Sequence, residues 1–109
     1  MGCNVILENS YFCLIELGDA VLIPTPYYAA FEFEYVARAG LSIQPVHTMG
    51  CNSPGLSIDA NSIPQSWYYS NVDGLNAAYN DGAKENGNEP KVLLLSHPNN
   101  PLGICYPMY

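Results

Sequence analysis

The stretch GDAVLIPTPYYAAFEFEYVARAG, residues 18–40, contains a short strand pattern followed directly by a helical one. The apolar run from Ala20 ends at Pro24 and Pro26, and proline ends a strand because it cannot donate a ladder hydrogen bond. From Tyr27 apolar residues return at helical spacing, and Gly40 is the residue type that commonly follows the end of a helix. A strand joined by a tight turn to a helix is half of a βαβ unit, so this stretch predicts a parallel sheet with helices.

The segments on either side continue this alternation. NVILENSYFCLIELGD, residues 4–19, predicts a helix with a broad apolar face that ends at Gly18. LSIQPVHT, residues 41–48, predicts a second strand. KVLLLSHP, residues 91–98, predicts a third strand that is apolar on both faces, as in the interior of a parallel sheet. In the helix after Pro26, the residues predicted to face inward are Phe31, Tyr35 and Val36.

A third helix and a long loop complete the predicted elements. VDGLNAAYNDGAKENG, residues 72–87, predicts a polar helix that Asp73 caps and that Gly74 and Gly82 weaken. Residues 49–70 keep no period, so they predict a long loop in which Trp67 packs on neighbouring tyrosines. The order of elements predicts an α/β fold with mainly parallel strands and flanking helices. Three strands leave both sheet edges open, so we expect a partial domain that is incomplete at both ends.

Composition restricts the class of protein. The chain has 109 residues, enough for one small domain. Ten acidic residues against three basic ones give a net charge of −7, which disfavours nucleic acid and anionic membranes as partners. No apolar run approaches the length of a membrane span. The four cysteines form no CxxC pair, which predicts neither a metal site nor a disulfide framework and favours a reducing, cytoplasmic compartment.

Three motifs are predicted to meet at the carboxyl ends of the strands, where open α/β sheets bind ligands. GCN, residues 2–4, opens the first helix, whose free backbone N–H groups attract anions. PTPYY, residues 24–28, offers tyrosine rings either for packing or for a flat ligand. HPNNPLG, residues 97–103, offers two carboxamides. Each carboxamide either closes its own turn or donates to a ligand; we predict the turn role for Asn99 and the donor role for Asn100, which Pro101 holds away from the α region.

GDAVLIPTPYYAAFEFEYVARAG and VLLLSHPNNPLG, joined by a helix that carries LNAAY, resemble the large domain of class I/II aminotransferases. These are pyridoxal-phosphate-dependent enzymes of fold type I, and the likeness is greatest to the 1-aminocyclopropane-1-carboxylate synthase branch. The resemblance covers nearly the whole chain apart from residues 52–70. It implies a partial three-layer large domain spanning residues 1–109, pyridoxal 5'-phosphate as cofactor, an amino acid as small-molecule substrate, and a homodimer.

The resemblance also implies roles for single residues. Asn100 matches the asparagine that hydrogen-bonds the 3-hydroxyl oxygen of the cofactor, and Tyr28 matches the aromatic residue that stacks on its pyridine ring. Gly2, Cys3 and Asn4 match the turn that holds the cofactor phosphate, although the family's small and hydroxyl-bearing side chains are replaced here. The resemblance also implies a cis peptide bond before Pro26 or before Pro101.

The family's Schiff-base lysine lies beyond the asparagine motif, outside these 109 residues. Lys84 and Lys91 are predicted to be solvated surface charges, with Lys91 at the end of its strand opposite the site, and Arg38 is predicted to complement a helix dipole. No catalytic residue is therefore assigned, and we expect the chain to be inactive alone. Two alternatives stay open, a non-catalytic interaction module and a truncated gene product without its own function.

Overall fold

The computed structural model describes residues 2–48, 69–86 and 89–106. The predicted order of helices and strands is confirmed there, while most of the predicted loop 49–70, with Trp67, lies outside the described residues. The elements are α1 (Cys3–Leu14), β1 (Ala20–Pro24), α2 (Glu32–Arg38), β2 (Ser42–Val46), α3 (Val72–Asn86) and β3 (Val92–Leu93). In these described ranges, no helix is long and apolar enough to cross a membrane.

The three strands form one parallel sheet in the order β2-β1-β3. Val21 of β1 lies opposite Ile43 of β2 on one side and Val92 of β3 on the other. The predicted parallel arrangement is confirmed, but the interior position predicted for the third strand is wrong for this sheet. β1 is the central strand and is buried throughout, whereas β3 lies at an edge with Leu93 and Leu95 exposed.

Side chains of β1 alternate between the two faces of the sheet, and helices pack against both faces. Val21 and Ile23 point to one face, where they pack with Tyr11 of α1 and Tyr35 of α2. Leu22 points to the other face and packs with Val46 of β2 and with Ala78 of α3. The described chain is therefore an α/β layer with α1 and α2 on one side of the sheet and α3 on the other.

α2 begins later than the helical spacing predicts, and its turns are wider than those of a regular α-helix. Its residues follow a π-helical pattern, preceded by i→i+3 hydrogen bonds from Phe31 N–H to Tyr28 O (3.0 Å) and from Glu32 N–H to Ala29 O (3.2 Å). Phe31 and Tyr35 lie on one face with stacked rings 5.4 Å apart, as predicted. The inward position predicted for Val36 is wrong, because the wider turn leaves that side chain exposed.

The apolar face of α1 is largely uncovered in the described chain. Tyr11 is buried against α2, and Leu7 and Ile15 are half-buried against the same cluster. The remaining large apolar side chains of this helix are exposed, namely those of Val5, Ile6, Phe12 and Leu14. The helix end predicted at Gly40 is confirmed, because this glycine follows α2 with a φ angle of 67°. The helix end predicted at Gly18 is wrong, because α1 ends at Leu14 with Ile15 extended, and Gly18 (φ 90°) lies in the turn that leads to β1.

α3 is capped and packed differently from the prediction. Asn71, not Asp73, provides the cap, because its Oδ1 accepts a hydrogen bond from Gly74 N–H at 2.7 Å. Gly82 is buried where α3 meets β2, and a Cβ atom at this position would lie 3.2 Å from Gln44 Cγ and 3.0 Å from a proline ring carbon. The glycine therefore permits close approach of the helix to the sheet.

Candidate functional site

The turns that follow β1 and β3 lie at the same edge of the sheet because the strands are parallel. Residues 25–28 follow β1 and residues 96–103 follow β3. The first turn is anchored to β2, since the Thr25 backbone N–H and Oγ1 donate to Val46 O at 3.0 and 3.2 Å. Thr48 Oγ1 in turn donates to Thr25 O at 3.0 Å. The backbone that leads to Tyr28 is thus fixed from two sides.

The amino end of α1 lies at this same edge. α1 and α2 run in the same direction, because Asn4 contacts Glu34 and, one turn later, Glu8 contacts Arg38. α2 starts after the carboxyl end of β1 and returns towards the amino end of β2, so its amino end, and that of α1, face the strand ends. The open α/β topology predicted that these three motifs meet at the carboxyl ends of the strands, and the structure brings them to that edge.

The two neighbouring asparagines have different environments. Asn99 is 6% exposed, its Oδ1 accepts a hydrogen bond from Leu102 N–H at 3.1 Å, and its backbone N–H donates to Ile104 O at 2.8 Å. The predicted turn role of Asn99 is therefore confirmed. Asn100 is exposed, and its side chain makes no hydrogen bond to another described residue. Its carboxamide is accessible to a ligand, and its ligand role stays a prediction.

Tyr28 is only partly covered by protein. Its ring packs edge-on against Phe31, with centroids 5.7 Å apart and an interplanar angle of 88°. Yet 46% of the residue is exposed. Packing therefore occupies part of the ring and leaves the rest exposed. The role of Tyr28 towards a flat ligand stays a prediction.

In the first turn of α1, backbone N–H groups lack partners within the helix, while the Asn4 side chain is hydrogen-bonded to Glu34. Gly2 is the N-cap and offers no side chain, so the N–H groups of Cys3 and Asn4 have no intrahelical partner. Both residues are exposed. The Asn4 side chain is engaged, because its Nδ2 donates a hydrogen bond to Oε1 of Glu34. The backbone amides are available to an anion, while the Asn4 carboxamide is not.

A buried hydroxyl lies behind this helix. Tyr35 is 1% exposed, and its hydroxyl has no hydrogen-bond partner among the described residues. Burial raises the pKa of Tyr35 well above its usual value, and the neighbouring Tyr11, Glu34 and Cys3 raise it further. The apolar spacing of the sequence located this ring in the core but gave no signal of an unpaired hydroxyl.

The lysines lie away from this edge. Lys84 is exposed on α3. Lys91 precedes β3 at the opposite edge, as predicted, but it is not simply a solvated charge, because its Nζ lies 2.9 Å from Oδ2 of buried Asp19. That oxygen also accepts the Glu16 N–H at 3.0 Å. The hydrogen bond from Lys91 lowers the pKa of Asp19, and the same bond raises the pKa of Lys91.

The histidines and cysteines form no cluster in the described ranges. No group of three or more His, Cys, Asp or Glu residues there could hold a metal ion. His97 stacks on Tyr106 with ring centroids 5.9 Å apart, and its Nδ1 accepts the Tyr106 N–H at 3.3 Å. Cys3, Cys13 and Cys105 are free and exposed, and Cys51 lies outside the described residues.

The peptide bonds of Thr25–Pro26 and Asn100–Pro101 are cis, as the resemblance implies, and so is that of His97–Pro98. Arg38 lies in the last turn of α2, as predicted for a residue that complements the dipole. It also pairs with Glu8 at 3.0 Å, a contact between side chains that are respectively 54% and 22% exposed. Such an exposed pair contributes little to stability.

Comparisons with known proteins agree with the motifs. Residues 1–108 match the family described as aminotransferase class I and II. A 1-aminocyclopropane-1-carboxylate synthase of Cucurbita maxima is 36% identical over 102 residues, which are 94% of this chain and 18% of that protein. The 1-aminocyclopropane-1-carboxylate synthase 2 of Arabidopsis thaliana gives the same three values. A probable aminotransferase of Arabidopsis thaliana is 35% identical, with the same coverage of 94% and 18%.

The chain therefore spans less than a fifth of the length of these curated relatives, 18% of each. The matched region includes all three motifs at the sheet edge, since it covers residues 1–108. The chain belongs to the aminotransferase class I and II family.

Proposed function

We propose that residues 1–109 are part of the three-layer large domain of a fold type I, pyridoxal-phosphate-dependent enzyme that acts on an amino acid. The reaction would be amino-group transfer, or elimination of the 1-aminocyclopropane-1-carboxylate synthase type. One observation carries the proposal: the free carboxamide of Asn100, the open ring of Tyr28 and the first turn of α1 lie at one edge of a parallel sheet. Family membership supports the same assignment.

Most of the residues at this edge suit the cofactor. The Asn100 carboxamide makes no bond to another described residue, and Tyr28 is 46% exposed. The N–H groups of Cys3 and Asn4 have no partner within the helix and lie at the positive end of a helix dipole, which suits a phosphate. The Asn4 side chain does not fit this role, because Glu34 holds it.

Each residue has a definite task in this proposal. Asn100 Nδ2 donates a hydrogen bond to the oxygen on the pyridine ring and so favours its deprotonated form. Tyr28 stacks on the ring and restricts its tilt, and the amides of Cys3 and Asn4 hold the phosphate. When bound, pyridoxal phosphate withdraws electrons from the α-carbon of an amino acid. Neither Lys84 nor Lys91 lies at this edge, so we expect no Schiff-base activity from these 109 residues alone.

Fluorescence titration with pyridoxamine 5'-phosphate tests the proposal. This compound has the ring and phosphate but no aldehyde, so it cannot react with surface lysines. We expect Asn100→Ala to weaken binding roughly tenfold to a hundredfold, because a hydrogen bond to a charged group contributes about 1.5–3 kcal/mol. Asn76→Ala is a matched control, since Asn76 is also exposed but lies on α3.

A folded chain that binds no pyridoxamine phosphate would contradict the proposal. The result would favour the non-catalytic alternatives, for which the exposed apolar face of α1 is the relevant observation. Borohydride reduction after incubation with pyridoxal phosphate tests the lysines separately. Stoichiometric labelling of Lys84 or Lys91 would show that their assignment as structural charges is wrong.

A further inference from the structure

A carboxylate from α2 lies beside the amino end of α1. Asn4 Nδ2 donates to Oε1 of Glu34, a contact between residues 30 positions apart. α1 has no acidic residue in its own first turn, and Gly2 supplies no capping side chain. A negative charge is favourable at this end of a helix. Glu34 therefore provides, from a neighbouring helix, the anionic partner that the first turn of α1 lacks.

No cation in the described chain is paired with Glu34. The chain has three basic residues in all. Arg38 pairs with Glu8, and Lys91 pairs with Asp19 at the opposite edge of the sheet. Lys84 is exposed on α3, across the sheet from α1 and α2. Among the described residues, therefore, no ion pair neutralises the negative charge of Glu34, and this charge acts on any anion that approaches the same turn.

We propose that Glu34 competes with the phosphate group for the amino end of α1 and so weakens binding of phosphate-bearing ligands. The inference rests on the proposed function, since it takes the first turn of α1 as the phosphate subsite. For a carboxylate held by the Asn4 side chain and a phosphate on the Asn4 N–H, we take a separation of roughly 7 Å, a little more than the pitch of a helix. Coulomb repulsion at that distance in water corresponds to roughly a fivefold to tenfold loss of affinity for a doubly charged phosphate at low salt.

Two ligands that differ only in the phosphate isolate this effect. Pyridoxamine 5'-phosphate and pyridoxamine share the ring and lack the aldehyde, so neither reacts with lysine. For Glu34→Gln we expect pyridoxamine 5'-phosphate to bind about fivefold to tenfold more tightly, while the affinity for pyridoxamine stays unchanged. The gain should shrink as sodium chloride is raised, because salt screens exposed charges.

Glu32→Gln is the matched control. Glu32 lies on the same helix and loses the same charge, but its carboxylate accepts a hydrogen bond from the Tyr27 hydroxyl at 3.0 Å and does not contact Asn4. We expect it to change the affinity for pyridoxamine 5'-phosphate less than twofold. An equal gain in both variants would show a general effect of net charge and would overturn the specific role of Glu34.

The outcomes separate this inference from the proposed function. If wild-type protein binds pyridoxamine 5'-phosphate and Glu34→Gln leaves the ratio of the two affinities unchanged, the competitor role is wrong and the proposed function stands. If the folded chain binds neither compound, the proposed function fails. Inorganic phosphate then tests Glu34 directly, since it should raise the melting temperature of Glu34→Gln more than that of wild type or Glu32→Gln, at matched ionic strength. Equal rises would overturn the inference.

Discussion

Replacing the two neighbouring asparagines one at a time should separate stability from ligand binding. Asn99→Ala removes an acceptor that is 3.1 Å from Leu102 N–H and a side chain that is almost fully buried. A hydrogen bond of this kind contributes about 0.5–1.5 kcal/mol, and the small cavity left by truncation adds to the loss. We therefore expect Asn99→Ala to lower the free energy of unfolding by about 1–2 kcal/mol, or the melting temperature by roughly 5–10 °C.

Asn100→Ala should leave stability within about 0.5 kcal/mol of wild type, because the side chain is exposed and makes no hydrogen bond to another described residue. Asn99→Asp is the conservative variant, since an aspartate oxygen can still accept the Leu102 N–H. We expect it to recover most of the loss. Urea denaturation followed by circular dichroism measures all three, and titration with pyridoxamine 5'-phosphate should show weaker binding for Asn100→Ala despite its normal stability.

Two results would refute this division of roles. If Asn100→Ala destabilised the fold as much as Asn99→Ala, the Asn100 carboxamide would have a structural partner and would not be free for a ligand. If Asn99→Asp were as unstable as Asn99→Ala, the stabilising contribution would not come from the acceptor in the turn.

Three further predictions concern a buried hydroxyl, an ion pair and two glycines with positive φ. Tyr35→Phe should raise the free energy of unfolding by about 1 kcal/mol, because it removes a buried hydroxyl that has no partner among the described residues; a lower urea midpoint would contradict this. Lys91 lowers the pKa of Asp19, so stabilisation from this carboxylate should be present above its unfolded pKa of about 3.9 and be lost as pH falls through the lowered folded value. As the pH is lowered, the urea midpoint of Asp19→Asn should therefore fall less steeply than that of wild type, and equal slopes for the two proteins would refute this prediction. Alanine at Gly103 (φ 68°) and alanine at Gly40 (φ 67°) should each cost roughly 1–2 kcal/mol for the left-handed backbone, because the Leu17 methyl group 2.5 Å from the Gly40 Cβ ends an exposed side chain that can move away; a melting temperature equal to that of wild type in either variant would contradict this.

Local features of the fold could be predicted from the sequence because their causes lie within a few residues. Gly40 follows the end of α2 with positive φ, as its residue type indicates. Asn99 closes its own turn, and the residues that make that turn lie within five positions of it. Motifs such as PTPYY and NNPLG were equally informative about family, because they combine turn chemistry with the ends of parallel strands.

Contacts between residues that are far apart in the sequence could not be predicted in this way. Asp19 and Lys91 lie at the starts of two strands that are far apart in sequence, and their pairing depends on β3 lying next to β1. The sequence predicted β3 in the sheet interior from its apolar run, yet strand order depends on which neighbours are present. The contact between Asn4 and Glu34 likewise depends on how α1 and α2 pack, so the matching of Asn4 to a phosphate turn could not reveal that its side chain is engaged.

The hydrogen-bonding needs of the turn explain why Asn99 and Asn100 have different roles. A turn after a strand leaves backbone N–H groups that must be satisfied, and one carboxamide with a buried, fixed position can do this. Asn99 takes that role for Leu102, so the turn does not require the adjacent side chain. Asn100 is thereby held at the sheet edge by a turn whose stability it does not supply. This arrangement suits a ligand-binding group. A carboxamide that stabilised the turn would have to give up its hydrogen bond within the turn before it could bind a ligand.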